Sequence, residues 1–187
     1  SGYWNEARTV AERFLRVFDK AECAVGPSGS CVTMVRKFYP ELLGAEADAL
    51  SNFYEFSEFL TNVAKVDDLG AVFPHKVTLH DSCHALRELG ISAGPRTLLR
   101  KVKGLELQEM NHPDECCGFG GTFAVKFGMI SAAMGETKSQ NALATGAEYV
   151  TSIDPSCLLH VEGLLRKQQS PLKTIHLASI LASEAAQ

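Results

Sequence analysis

From residue 73 onward, the sequence alternates between short segments rich in β-branched residues and longer segments with helical spacing. The predicted strands are 75–80, 105–110, 147–153 and 172–177. The predicted helices are 83–91, 95–102, 130–146, 157–169 and 178–186. Because the links are short, a helix between two strands returns the chain to run parallel to the first strand. The pattern therefore predicts an α/β fold in which helices flank a parallel sheet.

The first 70 residues show part of the same pattern. They contain a predicted helix over 2–20, a strand over 21–26, and a helix over 31–43 that breaks near Pro40. A further strand runs into a helix over 53–65. This first part therefore resembles a portion of the unit that follows it.

An internal repeat relates the two parts of the chain. The stretch "AECAVGPSGSCVTMV" begins at Ala21, and "AEYVTSIDPSCLLHV" begins at Ala147. In both stretches, small and polar residues precede a Ser-Cys pair, and the stretch ends with a valine. The constant offset of 126 residues aligns Cys31 with Cys157. Chance similarity of two amphipathic units is the alternative, but the shared Ser-Cys ending favours duplication.

A second pair of stretches extends the repeat. "YEFSEFL" over 54–60 corresponds to "IHLASIL" over 175–181 after a small change of length. We therefore predict two pseudo-repeats of one domain. Residues 1–70 form an incomplete first repeat, and residues 71–187 form a complete second one.

The offset implies that cysteines are missing from the first repeat. Counterparts of Cys83, Cys116 and Cys117 would fall before residue 1. We expect the chain to be an N-terminally truncated form of a longer protein, with natural degeneration of the first repeat as the alternative. In the parent, Cys31 would belong to a second metal site that truncation has removed. Edges exposed in this way would favour self-association.

Composition excludes several classes of protein. The net charge is −4 and the chain has no basic run, so a nucleic-acid partner is not expected. Apolar runs are far shorter than the roughly 18 residues of a membrane span. The first ten residues lack the pattern of a signal peptide. We therefore expect a cytoplasmic, reducing location.

Six cysteines are too few for a disulfide scaffold in 187 residues, and clustered cysteines in a reducing compartment indicate metal or redox chemistry. A disulfide between the adjacent Cys116 and Cys117 would be strained. Four cysteines follow predicted strands at their carboxyl ends, where open α/β sheets bind ligands. These four form one predicted site: Cys83, Cys116, Cys117 and Cys157.

Three glycines follow the cysteine pair, and we predict that they belong to the binding site. Gly118, Gly120 and Gly121 permit positive φ angles and close approach of the backbone to a bulky group. Cys83 and Cys157 each open a predicted helix, where free N–H groups favour thiolate. Four thiolates suit either an iron–sulfur cluster or zinc.

The motifs "HDSCHALRELG", "CCGFGGTF" and "PSGSC" resemble the cysteine-rich CCG domains of the lactate utilization protein A family. They are similar, more distantly, to the CCG-domain subunit of heterodisulfide reductase and to the iron–sulfur subunits of glycolate and glycerol-3-phosphate dehydrogenases. The family pattern is a lone cysteine, a CCG and a CxxC, given twice. Here the last cysteine of the second copy is replaced by His160, which makes His160 a candidate fifth contact. The four cysteines that remain suit a [4Fe–4S] cubane or a zinc ion.

The resemblance implies an iron–sulfur electron-transfer component in the oxidation of L-lactate to pyruvate, working with other iron–sulfur subunits. It indicates an oxidoreductase subunit and leaves open whether the chain itself is an enzyme. A zinc-stapled protein with a structural or interaction role is the alternative. A thiol enzyme that uses Cys116 and Cys117 directly is a third hypothesis, although the chain has no Cys-x-x-Cys pair to support it.

Other residues near the cysteines receive structural interpretations. His80 and His84 are expected to cap or hydrogen-bond loop backbone. Asp81 is expected to cap the helix that follows it, and the alternative is that Asp81 and Arg87 orient the loop around the cluster. Cys23 is expected to lie in the core of the first repeat.

Overall fold

Four parallel strands form the larger of two sheets in the computed structural model, which describes residues 2–44, 50 and 52–184. The order across this sheet is β4-β3-β5-β6. The strands are β3 (Lys76–Leu79), β4 (Glu106–Leu107), β5 (Tyr149–Ser152) and β6 (Lys173–His176). The chain moves to one side of β3 to form β4 and then to the other side to form β5. The carboxyl ends of β3 and β5 therefore border a crevice at a topological switch point.

Helices lie in the connections between the strands of the large sheet and after its last strand, β6. They are α5 (Cys83–Leu89), α6 (Ala93–Leu99), α7 (Thr122–Lys126), α8 (Gly128–Leu143), α9 (Pro155–Lys167) and α10 (Leu177–Leu181). Local chemistry sets several of their ends. Gly90 ends α5 in the left-handed region at φ 70°, and α9 begins with Asp154 as its N-cap and Pro155 in its first turn.

The first part of the chain forms a separate two-stranded parallel sheet of β1 (Ala24–Gly26) and β2 (Phe53–Glu55). Its helices are α1 (Trp4–Phe18), α2 (Gly29–Thr33), α3 (Tyr39–Leu43) and α4 (Phe56–Glu58), with π-helical turns at Met34–Phe38 and Phe59–Val63. Phe14 packs edge-on against both Tyr39 and Phe53, and these rings join α1 to the rest of a small core.

The two stretches related by the repeat have the same local structure. Each is a strand, a short loop and a helix, and Cys31 and Cys157 are both the third residue of their helix. The second pair of stretches also agrees. Glu55 and His176 each end a strand and each cap the next helix by accepting a backbone N–H two residues ahead. The division of the chain at residue 70 stays a prediction.

The two parts are packed together through α2 and α5. A Cβ at Gly29 would lie 2.7 Å from the Cβ of Ala85, closer than side chains tolerate. The Gly29 N–H also donates to the carbonyl of Ile153 at 3.2 Å. The start of α2 is thereby fixed against α5, which carries Cys83, and against the end of β5, which leads to Cys157 on α9.

The α/β class and the parallel sheet are confirmed, and some details differ. Strand 105–110 is paired over Glu106–Leu107 alone, and α7 was not predicted because a glycine-rich stretch precedes it. Cys23 is exposed, so its placement in the core was wrong. Of the predicted helix 178–186, the last two residues lie outside the described part of the chain.

None of the described helices combines the length and apolar character that crossing a membrane requires.

Candidate metal centre

The carboxyl ends of β3 and β5 bring two chain segments side by side. The His80 N–H donates to the Thr151 carbonyl at 2.9 Å, which continues the strand pairing by one residue. The next N–H, of Asp81, donates to the carbonyl of Pro113 at 3.1 Å. Pro113 belongs to the loop that leads to the cysteine pair. The ends of two strands and this loop are therefore joined directly by backbone hydrogen bonds.

The four cysteines predicted to form one site come together there. Cys116 interacts with the thiols of both Cys117 and Cys83, and Cys117 in turn interacts with Cys157. Cys117 and Cys157 are buried, whereas Cys83 and Cys116 are partly exposed. The thiols therefore form a continuous chain from the interior of the crevice to its mouth. The structure places Cys83 at the first position of α5 and Cys157 in the first turn of α9, as expected.

The close approach of the thiols divides them into stronger and weaker acids. Hydrogen bonding from Cys117 and then Cys83 lowers the pKa of Cys116 well below its ordinary value. Hydrogen bonding with Cys117 lowers the pKa of Cys157 to about 6, against the opposing effect of burial, and the nearby His80 ring contributes in the same direction. The pKa values of Cys83 and Cys117 are raised, chiefly because each donates to Cys116. Thiols in such close contact are groups that a bound cation would convert to thiolates.

The glycine-rich loop lies against α8 without room for side chains. Gly118 has φ 90°, and a Cβ there would come within 2.5 Å of the Ser131 carbonyl oxygen and 2.8 Å of the Met134 Cβ. The Gly118 N–H donates to the Cys116 sulfur at 3.4 Å. Gly120 and Gly121 also have positive φ, at 53° and 57°. The loop thus brings one backbone donor, the Gly118 N–H, to a sulfur, and a role of Gly120 and Gly121 in binding stays a prediction.

His80 belongs to the same cluster, although the sequence suggested a capping role. Its side chain is 2% exposed, and neither ring nitrogen has a partner with hydrogen-bond geometry. A ring nitrogen and the sulfurs of Cys117 and Cys157 lie within 4.8 Å of one another. Its position next to "DSC" at the end of a strand is the sequence signal that could have identified it.

Asp81 does not cap α5, because it is held by an arginine from α6. Arg96 binds both oxygens of the Asp81 carboxylate at 2.8 Å and also binds Glu109 on its other side. These carboxylates raise the pKa of Arg96, with Asp81 contributing most. This bidentate pair fixes the segment between His80 and Cys83, so Asp81 helps to hold that segment in position at the site.

Lys138 is a buried cation near Cys117, and it was not predicted from the sequence. Its side chain is 1% exposed, and its ammonium donates to the carbonyl of His112. Burial lowers the pKa of Lys138, while Glu115, Asp114 and then Cys117 act against that shift. Lys138 lies on a helix face otherwise made of small buried residues, which is the pattern that could have shown it.

Two other predicted contacts have different surroundings. The His160 Nε2 lies 3.2 Å from the Ser131 carbonyl and 3.5 Å from its hydroxyl, so this ring is engaged with α8. Cys31 is exposed in the first turn of α2. The pKa of the Tyr39 hydroxyl is raised, chiefly by burial and to a smaller extent by the charge of the Cys31 thiol.

The fold and the clustered thiols define a cysteine-rich domain protein. A family model described as the CCG cysteine-rich domain matches residues 77–162, the span that contains all four cysteines of the site.

The chain is also similar over almost its whole length to proteins named lactate utilization protein A. It is 41% identical to the protein of Lysinibacillus sphaericus, over 97% of this chain and 82% of the relative. It is 43% identical to that of an Exiguobacterium species, over 97% and 77%. It is 41% identical to lactate utilization protein A 1 of Bacillus mycoides, over 100% and 79%. The chain belongs to the lactate utilization protein A family.

The residues of the site fit a metal centre. The donors are soft sulfurs with one imidazole, the set that proteins use for iron–sulfur clusters and zinc. The imidazole is buried without a partner, which is costly unless something binds it. The Gly118 N–H donates to the Cys116 sulfur, and the buried Lys138 ammonium lies near enough to Cys117 to interact with its charge. Each of these features favours an anionic metal–thiolate group in the crevice.

Proposed function

We propose that Cys83, Cys116, Cys117 and Cys157 hold a [4Fe–4S] cluster, and that the protein transfers electrons in the oxidation of L-lactate to pyruvate. The observation that carries this proposal is the convergence of four thiols, from three separate segments, on one crevice of the sheet. Without a bound group, four thiols held together at this point would repel one another once they ionise to thiolates. A bound group that requires four thiolates explains the arrangement.

The protein's own residues would prepare the crevice for that group. A cluster of this kind supplies one-electron transfer when it is bound. Buried Cys117 and Cys157 would hold its inner side and exclude water there. Cys83 and Cys116 would hold the side that faces solvent, from which a partner's redox centre is reached. The Gly118 N–H would donate to sulfur and stabilise the more reduced, more negative state.

Lactate as the ultimate electron source is supported by the names of the relatives. Oxidation of lactate to pyruvate releases two electrons and two protons, and a one-electron carrier cannot take both at once. The bond-breaking step is therefore proposed for another subunit, and this chain would carry electrons onward from it. We place this system in the cytoplasm, where thiolate ligands stay reduced.

Other iron–sulfur subunits are the proposed partners. Large apolar side chains lie exposed on the segment directly after the glycine-rich loop. Val125 is 86% exposed and Met129 is 90% exposed, with Phe127 half exposed between them. This segment is flanked by Gly121 and by Ser131, whose carbonyl lies against the loop at Gly118. An apolar surface bordering the mouth of the crevice supports docking of a protein there.

Zinc is the second candidate, and one observation favours it. His80 lies with Cys117 and Cys157 in a compact group, and mixed cysteine and histidine ligands are typical of zinc sites. Zinc carries no electrons, so this centre would fix the loop and the strand ends in place. The function would then be structural or one of protein interaction.

Anaerobic purification followed by iron, sulfide and zinc analysis tests the proposal. We expect about four irons and four sulfides per chain, with an EPR signal after reduction. Cys117→Ser and Cys157→Ser should lose most of the iron, because these two ligands are buried. Cys23→Ser is the control, since Cys23 is exposed and outside the cluster. One zinc per chain without sulfide, after anaerobic reconstitution with iron, would support the structural alternative.

A further inference from the structure

Helix α1 presents apolar side chains to solvent beside the face that packs into the core. Tyr3, directly before the helix, is followed at intervals of seven residues by Val10 and Val17. They are 70%, 58% and 66% exposed, whereas Ala11, roughly a quarter-turn away, is fully buried. We name Tyr3, Val10 and Val17 the α1 face. A seven-residue repeat of exposed apolar side chains is typical of a helix that packs along another helix.

A groove adjoins the N-terminal half of the α1 face. It is lined from α1 by residues that include Tyr3, Trp4 and Val10, and from the following π-helical turn by Met34 and Phe38. The groove is open and has a volume of about 480 Å³. An amphipathic helix laid along α1 would place its apolar side chains in this groove.

The charged residues beside the α1 face indicate which helix fits it. Glu6 and Arg13 are both exposed and lie on the same side of the face, roughly 40° and 60° around the helix from Val10. The acidic residue is near the start of α1 and the basic residue near its end. If two copies of α1 run antiparallel and cross at Val10, Glu6 of each copy lies beside Arg13 of the other. In a parallel pair, Glu6 would lie beside Glu6 and Arg13 beside Arg13, so the charges favour the antiparallel pair.

We propose that the α1 face is a self-association surface, on which a second copy of this chain packs its own α1 antiparallel, with a two-fold axis at Val10. Tyr3 of each copy then lies against Val17 of the other, and two Glu6–Arg13 ion pairs flank the apolar contact. Such a contact uses the same surface on both copies and closes at a dimer. With 15 residues, α1 is about 22 Å long, so the interface is small and the dimer is weak and reversible. The pairing does not depend on the metal centre.

Sedimentation equilibrium of the metal-free chain tests the proposal. A thiol reductant is included because exposed Cys23 and Cys31 would otherwise cross-link copies. We expect a monomer–dimer equilibrium with a Kd on the order of 10 µM. Val10→Lys should weaken it at least about tenfold, because two ammonium groups would meet at the axis. Val63→Lys, at another valine that is 45% exposed, is the control and should leave the Kd unchanged. A wild-type chain that stays monomeric up to about 50-fold above that Kd, or a Val10→Lys variant that associates like wild type, overturns the proposal.

Charge reversal tests the antiparallel arrangement. Glu6→Arg and Arg13→Glu should each weaken the dimer about fivefold, because like charges then face each other across the two-fold axis. The double variant should return to within about twofold of the wild-type Kd, since the ion pairs are restored with their signs exchanged. Lys126→Glu makes the same change of charge as Arg13→Glu at an exposed position of α7 and should have no effect. A double variant as weak as the two single variants overturns the antiparallel pairing.

Trp4, the single tryptophan of the chain, reports whether the dimer forms on this surface. It lines the groove and is 64% exposed. As the concentration rises through the Kd, its fluorescence emission should shift to shorter wavelength in the wild type and not in Val10→Lys. Dimerisation without that shift would place the contact on another surface and overturn the role of the α1 face.

Discussion

The Asp154 carboxylate accepts a hydrogen bond from the backbone N–H of Ser30 at 2.8 Å, across 124 positions of sequence. The same oxygen accepts from the Ser82 hydroxyl at 3.2 Å, and the other oxygen caps α9 through Ser156. Asp154 therefore joins the starts of three helices. Because α5 and α9 each carry a cysteine of the site in the first turn, one buried carboxylate aligns these two helix starts at the crevice and joins α2 to them.

Asp154→Ala should weaken the whole arrangement. The change removes the N-cap of α9 and leaves Ser30 and Ser82 without their acceptor, in a position where Asp154 is 1% exposed. We expect the free energy of unfolding to fall by about 3 kcal/mol. Urea unfolding of the reduced, metal-free chain, followed by circular dichroism, measures this. Asp19→Ala at an exposed position is the control, expected within about 0.5 kcal/mol of wild type. Equal stability of the two variants would refute the role given to Asp154.

Arg96→Met should also destabilise the chain, through a charge left unpaired. Asp81 is 7% exposed, and Arg96 binds both of its oxygens, so removing the guanidinium leaves a buried carboxylate. We expect a loss of about 3 kcal/mol in the free energy of unfolding. The double variant Arg96→Met with Asp81→Asn should recover part of it, because the buried charge is gone. Arg166→Met, at an exposed i,i+4 pair, should change stability by under about 0.5 kcal/mol. Thermal and urea unfolding of wild type and these variants measures the differences, and a double variant no more stable than Arg96→Met would contradict the buried-charge explanation.

The position of the cysteines could be predicted from the sequence because of a property of parallel sheets. Each cysteine segment follows a predicted strand, and the carboxyl ends of parallel strands lie along one edge. The common location of Cys83, Cys116, Cys117 and Cys157 followed from that rule alone. The equal placement of Cys31 and Cys157 in their helices followed from the repeat.

The partners of the buried polar residues could not be predicted in the same way. Asp81 looked like a helix cap because caps are local, whereas its partner Arg96 comes from another helix. His80 and Lys138 are recognised as part of the site by what surrounds them in three dimensions. The local pattern marks both positions, but it does not reveal the residues that bury them. For Lys138 these include the loop at 111–115, where its ammonium donates to the His112 carbonyl.

Gly118→Ala should disturb the loop more than Gly121→Ala does. Both residues have positive φ, so both substitutions strain the backbone. At Gly118, a Cβ also meets the Ser131 carbonyl at 2.5 Å, whereas at Gly121 it meets nothing within 4 Å. We expect a loss of about 3 kcal/mol in the free energy of unfolding for Gly118→Ala and about 1 kcal/mol for Gly121→Ala. Iron content after reconstitution should follow the same order. Equal losses would show that the backbone angle alone, and not the contact with α8, sets the loop.

Lys138→Met should make the proposed cluster harder to reduce. The Lys138 ammonium is buried near Cys117, and its positive charge favours the more negative, reduced state of a thiolate-bound centre. We expect the reduction potential to fall by on the order of 50 mV, an effect of one charge at an effective dielectric constant of about 20. Redox titration monitored by EPR measures the potential. Lys126→Met removes an exposed lysine from α7 and should leave the potential nearly unchanged, because solvent screens that charge. A shift of equal size in both variants would mean that net charge, and not the buried position of Lys138, determines the effect.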